Sequence, residues 1–227
     1  MADDPVIIVT AYNEADRLPG TLSALRAAFP GARIVVADDH SADATAEVAR
    51  AEGVEVVRPE RNLGKGGVST LAAHTVLHRA WEPEPPVFVL CDGDLAESAE
   101  HLKALVEAVR SGEADLAVGA FARRVGGGFG AALGFARWAI ERRCGLRLDA
   151  PISGQRALSG EAFRVAVPFA PRFGMEIGMT VDVARAGLAV REIELPLTHR
   201  ATGKTLAGFR HRFRQLRDFL RVYVAKR

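Results

Sequence analysis

The chain has 227 residues, of which 48% are hydrophobic and 26% are charged, and its formal net charge is +2. These values are typical of a globular protein with one large domain and exclude a disordered, collagenous or coiled-coil chain. Its two cysteines, Cys91 and Cys144, are too few for a disulfide framework or a four-thiolate zinc site. No apolar run approaches the ~18 residues of a membrane span and no secretory signal is visible, so we expect a cytoplasmic protein.

The charge is unevenly distributed along the chain. Residues 200–227 contain nine Lys or Arg and one acid, a net +8, so the rest carries −6. Within this tail, Leu206–Val224 has the spacing of an amphipathic helix. We therefore expect a main domain over residues 1–205 and a basic C-terminal helix over 206–227. The apolar stripe of that helix favours packing on the core or on a second subunit of a homodimer. The alternative is peripheral contact with an anionic membrane, at its inner face.

The remaining elements alternate along the chain. Short apolar runs predict strands at Val6–Thr10, Arg33–Ala37, Val54–Arg58, Pro86–Cys91, Leu116–Gly119 and Val190–Pro196. Helical spacing is found over Leu18–Phe29, Ala42–Ala51, Gly67–Arg79, Ser98–Val109, Gly130–Cys144 and Glu176–Ala186. This alternation predicts an α/β fold with a mostly parallel sheet and helices on both faces.

Polar clusters follow the first four strands, where an open parallel sheet binds its ligands. They are Thr10–Glu14, Asp38–Ser41, Arg61–Gly67 and Asp92–Asp94. Because the carboxyl ends of parallel strands meet at one edge, these clusters are expected to form a single site.

The triplet Asp92-Gly93-Asp94 carries two carboxylates around a small residue. Such a pair can hold a hard divalent cation, which in turn can neutralise a departing diphosphate. The plainer interpretation is an ordinary Asp-Gly turn. Its position beside the other clusters favours the metal site.

Two further clusters have both functional and plain interpretations. A carboxylate of the pair Asp38-Asp39 could accept the N3–H of a uracil, or could simply favour a helix N-terminus. The glycines around Lys65 open a predicted helix whose N-terminus suits an anion, although the spacing is not that of a P-loop. The alternative for Lys65 is a solvated side chain on a surface turn.

Together these motifs resemble the family 2 glycosyltransferases with the GT-A fold. Ile7–Glu14 looks like the opening strand and nucleotide loop of that family, and Val35–Asp43 like its second strand and base-contacting turn, with His40 where Gly is commoner. Asn62–Gly66 is typical of members that transfer to phosphate-bearing acceptors, and Asp92–Asp94 matches the metal-binding DXD triplet. The resemblance implies a GT-A-type, Rossmann-like sheet.

The second half of the chain is similar to two groups within this family. Asp149–Arg156 looks like the acceptor-side segment of polyprenyl-phosphate hexosyltransferases, where an aromatic residue is commoner than Gln155. Val167–Gly178 looks more like glucosyl-3-phosphoglycerate synthases. The latter resemblance implies that Glu176 lies near the reacting sugar and that His199 joins Asp94 as a ligand of Mg²⁺ or Mn²⁺.

The resemblance thus implies a metal-dependent transfer of a hexose from a nucleoside diphosphate sugar, UDP-glucose-like, to a small phosphate-bearing acceptor such as phosphoglycerate. The alternative acceptor is a polyprenyl phosphate at the membrane surface. The residues assigned to the nucleotide sugar are Thr10, Tyr12, Glu14, Asp39, Lys65, Asp92 and Gly93; to the acceptor Ser153, Gly154, Arg156, Arg200 and Lys204; to the metal Asp94, His199 and Asp92; and to catalysis Glu176, Lys65 and Asp94.

Three other classes compete with this interpretation. The run Val35–His40 is compatible with a receiver domain that acts as a phosphorylation switch, but such domains are much shorter. A sugar-1-phosphate nucleotidyltransferase needs a basic glycine-rich loop after its first strand, where this chain has Ala-Tyr-Asn-Glu. We expect no nucleic-acid partner, because the net charge is small and no basic, aromatic-studded strand face is visible.

Overall fold

The computed structural model describes residues 4–77, 87–121, 130–196, 220 and 223–225. Its strands are β1 (Val6–Ala11), β2 (Arg33–Asp38), β3 (Glu55–Val57), β4 (Phe88–Asp92), β5 (Leu116–Phe121), β6 (Arg156–Leu158) and β7 (Val190–Leu195). Its α-helices are α1 (Leu18–Ala28), α2 (Thr45–Ala51), α3 (Lys65–Leu77), α4 (Lys103–Arg110), α5 (Gly130–Cys144), α6 (Gly160–Ala166) and α7 (Met175–Arg185). Short 3₁₀ helices span Ala96–Leu102 and Arg172–Gly174.

These strands form one sheet in the order β3-β2-β1-β4-β6-β5-β7. Strand β6 is antiparallel to both of its neighbours, whereas every other neighbouring pair is parallel. The prediction of a mostly parallel α/β sheet is therefore confirmed.

The burial of strand β1 explains its apolar sequence. All six of its residues are buried, because helices cover both faces of the sheet. Ile7 and Val9 belong to the core cluster on one face, with α1 and α4. Val6 and Ile8 belong to the cluster on the other face, with α3, α6 and α7. Successive side chains of β1 thus pack alternately into the hydrophobic cores on the two faces of the sheet.

Strand β6 and helix α6 were not predicted from the sequence. β6 is only three residues long and opens with a buried arginine, Arg156, so it lacks the apolar run expected of a central strand. Helix α6 has seven residues and is capped by Ser159, whose hydroxyl accepts from the Ala162 N–H. The antiparallel direction of β6 has one important consequence. It brings the residues just before Arg156 to the edge where β1, β2 and β4 end.

Two other expectations concern helices. The predicted helix over Ser98–Val109 is a 3₁₀ helix followed by α4. The predicted C-terminal helix lies outside the described residues, apart from Leu220 and residues 223–225, which are helical. Among the described helices, none has the length and apolar character needed to cross a membrane.

The start of α3 packs closely on the segment that precedes α7. A Cβ at Gly66 would lie 1.9 Å from the carbonyl oxygen of Ala170, so only glycine fits there. One turn later the Thr70 hydroxyl accepts from the backbone N–H of Phe169 at 3.0 Å. This contact fixes Lys65, the first residue of α3, relative to α7.

We expect Gly66→Ala to lower the free energy of unfolding by about 1–3 kcal/mol, since the backbone of the neighbouring segment must move. The matched control is Gly134→Ala in α5, where an added Cβ meets nothing within 4 Å. That variant should be neutral or more stable by up to ~1 kcal/mol, because alanine favours a helix over glycine. Urea unfolding of the two variants checks the difference. Equal stabilities would contradict the close approach of α3.

Candidate active site

The strand ends meet at one edge of the sheet, as the parallel pairing requires. Thr10 of β1 is in register with Asp92 of β4, and Ala11 is in register with Asp38 of β2. On β6, Arg156 is in register with Leu90. Gln155, one residue earlier, therefore lies beside the end of β4.

Lys65 lies between two carboxylates at this edge. Its Nζ is 2.6 Å from Asp92 Oδ1 and 3.1 Å from Glu176 Oε1, in the first turn of α7. Burial acts to lower the pKa of Lys65, but the two carboxylates outweigh burial, and the pKa lies above its ordinary value. Lys65 is thus a held ammonium group, and the alternative of a solvated surface lysine is wrong.

Asp92 is anchored through both of its carboxylate oxygens. Besides Lys65, Oδ1 accepts from the Thr10 hydroxyl at 3.2 Å, and Oδ2 accepts from Gln155 Nε2 at 2.9 Å. Burial acts to raise the pKa of Asp92, but the charge of Lys65 and these hydrogen bonds hold it below its ordinary value. Asp92 therefore anchors Lys65 in this structure, while its side chain stays one-third exposed at the edge.

Asp94 stands on the turn after β4, with its side chain one-third exposed. Arg17 donates to the Asp94 carbonyl at 3.2 Å and lies 3.9 Å from Oδ2. The turn is closed by Thr21, whose hydroxyl donates to the Gly93 carbonyl and accepts from the Ala96 N–H, both at 2.8 Å. Neither Arg17, just before α1, nor Thr21, within it, was predicted, because neither carries a local pattern.

The corner around Asp94 has an excess of negative charge. The pKa of Glu14 is raised by burial and then by the charge of Asp94, with smaller contributions of the same sign from Asp43 and Asp92. A hard divalent cation bound by oxygen fits such a corner. Within the described residues no three His, Cys, Asp or Glu side chains converge as metal ligands. The predicted ligand His199 lies outside those residues, as do Arg200 and Lys204.

The carboxylates of Asp38 and Asp39, at the end of β2, bind groups within the protein. Asp38 is fully buried, with Arg58 Nε 3.2 Å from Oδ2 and the Ser41 hydroxyl donating to Oδ1. Asp39 accepts from the backbone N–H of Leu63 at 2.7 Å and of Gly64 at 2.9 Å. Burial raises the pKa of Asp39 despite these bonds. The carboxylate of Asp39 thus holds the glycine loop, and its contact with a base stays a prediction.

The loop after β1 is tied to the loop after β2. Asn13 has a φ of 57°, and its side-chain oxygen accepts from the Ala42 N–H at 2.8 Å. The Glu14 N–H donates to the Thr45 hydroxyl at 2.9 Å. Tyr12, assigned to the nucleotide sugar, is 53% exposed at this edge. Its ring is thus available to a ligand.

The segment Asp149–Arg156, which the resemblance assigns to the acceptor side, ends in a buried arginine. Arg156 is 1% exposed, and its guanidinium donates to the carbonyls of Pro151 and Ser153 and to the Thr180 hydroxyl, each at 2.9 Å. Burial lowers its pKa to about 10. The prediction that Arg156 binds an acceptor phosphate is therefore wrong for this structure, since its donors face inward. Ser153 is also buried.

Gly154 lies against the charged pair. A Cβ at this position would be 2.3 Å from Lys65 Nζ and 2.6 Å from Asp92 Oδ2. A side chain there would displace the ammonium group.

Comparison with known proteins places this chain in a family. The model of glycosyl transferase family 2 matches residues 6–152. An undecaprenyl-phosphate mannosyltransferase of Micrococcus luteus is 30% identical over 219 residues, covering 87% of this chain and 85% of that protein. A polyprenol monophosphomannose synthase of Mycolicibacterium smegmatis is 33% identical over 129 residues, covering 54% of this chain and 46% of the synthase.

A solved structure extends the likeness to the whole fold. Glucosyl-3-phosphoglycerate synthase from Mycobacterium tuberculosis, in complex with Mn²⁺, UDP-glucose and phosphoglyceric acid, superposes with a TM-score of 0.78. The match covers 99% of this chain and 80% of that one at 23% identity. These findings decide against the receiver-domain and nucleotidyltransferase alternatives. With a family model that spans most of the sheet and a relative that matches over most of both chains, the protein belongs to glycosyl transferase family 2 and is a nucleotide-sugar-dependent glycosyltransferase.

Proposed function

We propose that this enzyme transfers a hexosyl group from a nucleoside diphosphate sugar to the phosphate of a polyprenyl phosphate. The relative that matches most of the chain is named for such an acceptor, as is the mycobacterial synthase. The phosphoglycerate enzymes share 23% identity in the superposition given above, a level that supports the fold alone. We therefore rank the lipid phosphate above phosphoglycerate, reversing the order expected from the sequence.

The observation that carries the proposal is the ammonium group of Lys65, held between Asp92 and Glu176 at the ligand-binding edge. A fixed cation there can bind a sugar hydroxyl or phosphate oxygen without reorganising during the reaction. In the transfer, a phosphate oxygen of the acceptor bonds to the anomeric carbon as the bond from that carbon to the diphosphate breaks.

A phosphate acceptor also defines the role of Glu176. A phosphate monoester has a second pKa near ~6, so at neutral pH its attacking oxygen is already largely ionised. No general base is then needed, and Glu176 lies in the first turn of α7 with its carboxylate on Lys65. We propose that Glu176 positions Lys65, rather than removing a proton.

The divalent cation belongs to the same proposal. Asp94 would hold Mg²⁺ or Mn²⁺ at the negatively charged corner, with His199 as the further ligand expected from the resemblance, and an imidazole ligand favours Mn²⁺. Asp92 is the weaker candidate, because its oxygens already bind Lys65, Thr10 and Gln155. When bound, the metal would stabilise the negative charge that develops on the leaving diphosphate.

A lipid acceptor calls for contact with a membrane surface, and one face fits it. Trp138 of α5 is 49% exposed and its ring lies 4.8 Å from that of Tyr223, while Leu220 and Val224 are about half exposed. The Arg143 guanidinium lies 3.8 Å above the Tyr223 ring. We call Trp138, Leu220, Tyr223 and Val224 the aromatic face. Three of its four residues belong to the tail of net +8, and apolar side chains in a basic segment suit an anionic membrane.

Asp94→Asn should reduce kcat at least about 100-fold, because it removes a charged ligand of the cation that stabilises the leaving group. Calorimetry should show weaker Mn²⁺ binding by the variant in the absence of any substrate. The control is Glu161→Gln on α6, which begins at the opposite edge of the sheet. Wild-type affinity for Mn²⁺ in Asp94→Asn would refute the metal assignment.

The acceptor is tested with UDP-, GDP-, ADP- and dTDP-sugars labelled in the hexose. With undecaprenyl phosphate in detergent, label should pass into the organic phase for the correct donor and only with Mg²⁺ or Mn²⁺. The matched incubation contains 3-phosphoglycerate. Label in a water-soluble glycosyl phosphoglycerate, and none in lipid, would restore the phosphoglycerate assignment.

Membrane contact is tested by sedimentation with vesicles of phosphatidylglycerol and phosphatidylcholine. Trp138→Ser should weaken binding about tenfold, as expected for the burial of a large apolar side chain. The control is Leu71→Ser, which changes an exposed apolar residue on α3. Absence of wild-type binding at low salt, together with a dimer in analytical ultracentrifugation, would favour the homodimer.

A further inference from the structure

We propose that Gln155 is a positioning residue for transfer: it locks the carboxylate of Asp92 in the rotation that holds Lys65 in place. The inference rests on the proposed function, because it concerns the same ammonium group. The sequence marks Gln155 only as a residue where an aromatic side chain is commoner among similar enzymes.

The contact between Gln155 and Asp92 is reciprocal. Nε2 donates to Asp92 Oδ2 at 2.9 Å, and Oε1 accepts from the Asp92 backbone N–H at 3.1 Å. Exchanging the amide oxygen and nitrogen would set two donors against each other and an oxygen against the carboxylate. The amide therefore has one orientation that satisfies both bonds. At 3% exposure, Gln155 has little water to replace them.

The bond to Oδ2 adds a second restraint on the carboxylate of Asp92. Thr10 and Lys65 both bind Oδ1. Rotation about the Cβ–Cγ bond moves both oxygens, so the Gln155 amide on Oδ2 resists the same rotation from the other side of the carboxylate. Because Nζ lies between Asp92 and Glu176, a turned Asp92 would let the ammonium group shift toward Glu176.

The backbone around Gln155 is fixed independently of its side chain. The Gln155 carbonyl accepts from the Gly119 N–H of β5 at 2.8 Å. The preceding residue, Gly154, leaves the space that Lys65 Nζ and Asp92 Oδ2 occupy. Substitution of Gln155 should thus remove the lock and leave the strand in place.

The first test is Gln155→Met, which keeps nearly the same length and removes both hydrogen bonds. We expect kcat to fall about 10- to 100-fold, the cost of misplacing a group in the site, with KM for the donor changed less than about threefold. Gln155→Asn keeps the amide but is too short for both contacts, so it should show the same loss. The control is Ser159→Ala, which removes the cap of α6 and should lower stability without lowering kcat.

A double-mutant cycle separates positioning from general structural support. If Gln155 acts through Lys65, then Gln155→Met causes no further loss of kcat in a Lys65→Met background. Independent, multiplicative losses, or wild-type kcat in both Gln155 variants, would overturn the inference.

A second cycle, measured by urea unfolding, tests the lock without the reaction. Gln155→Met and Asp92→Ala should be non-additive in the free energy of unfolding, since each removes the side-chain contact between the two residues. Additive effects would show that the lock is absent. Coupling in this cycle, with a wild-type enzyme that transfers no sugar, would overturn the proposed function and leave the structural lock in place.

Discussion

The site depends on one electrostatic arrangement. Lys65, at the start of α3, is paired with the carboxylate of Asp92 at the end of β4 and with that of Glu176 in α7. Neither Asp92 nor Glu176 is near Lys65 in the sequence, and the three meet because β4, α3 and α7 converge at one sheet edge. The neighbouring glycines, Gly66 and Gly154, provide the closeness this requires. A cation paired on both sides is costly to misplace, since either carboxylate would be left partly buried and uncompensated.

The two acidic pairs at the strand ends make different contacts. In the pair after β2, Asp38 binds Arg58 and Ser41, and Asp39 holds the glycine loop. In the triplet at the end of β4, Asp92 anchors Lys65, while Asp94 lies beside Arg17 in a negatively charged corner. Carboxylates that look equivalent in the sequence therefore have different partners in the fold.

The larger elements could be predicted because their sequences carry a clear apolar run or helical spacing. The apolar run of β1 and the helical spacing of α1 and α5 each match an observed element closely. The meeting of the polar clusters at one edge of the sheet could be predicted from its parallel topology alone. His40, which stands where glycine is commoner in similar enzymes, has a φ of 62°, the left-handed conformation that glycine adopts most easily.

The missed features have a common physical cause. β6 is too short to show a period. Its first residue, Arg156, is a buried arginine, whereas the sequence had predicted that it binds the acceptor. Thr21 and Gln155 act through contacts with residues far along the chain. Such contacts leave no local pattern, because the residues that flank Thr21 or Gln155 do not indicate which strand will pack beside them.

The reversed strand β6 also divides the molecule into two halves of different kind. β1–β4, with the nucleotide-loop motifs, join the remaining strands through a seam of three residue pairs between β4 and β6, reinforced by the stacked rings of Phe88 and Phe163. Because the sheet crosses this seam through only three residue pairs, changes in the strands beyond it need to preserve only those pairs to leave the pairing of β1–β4 undisturbed.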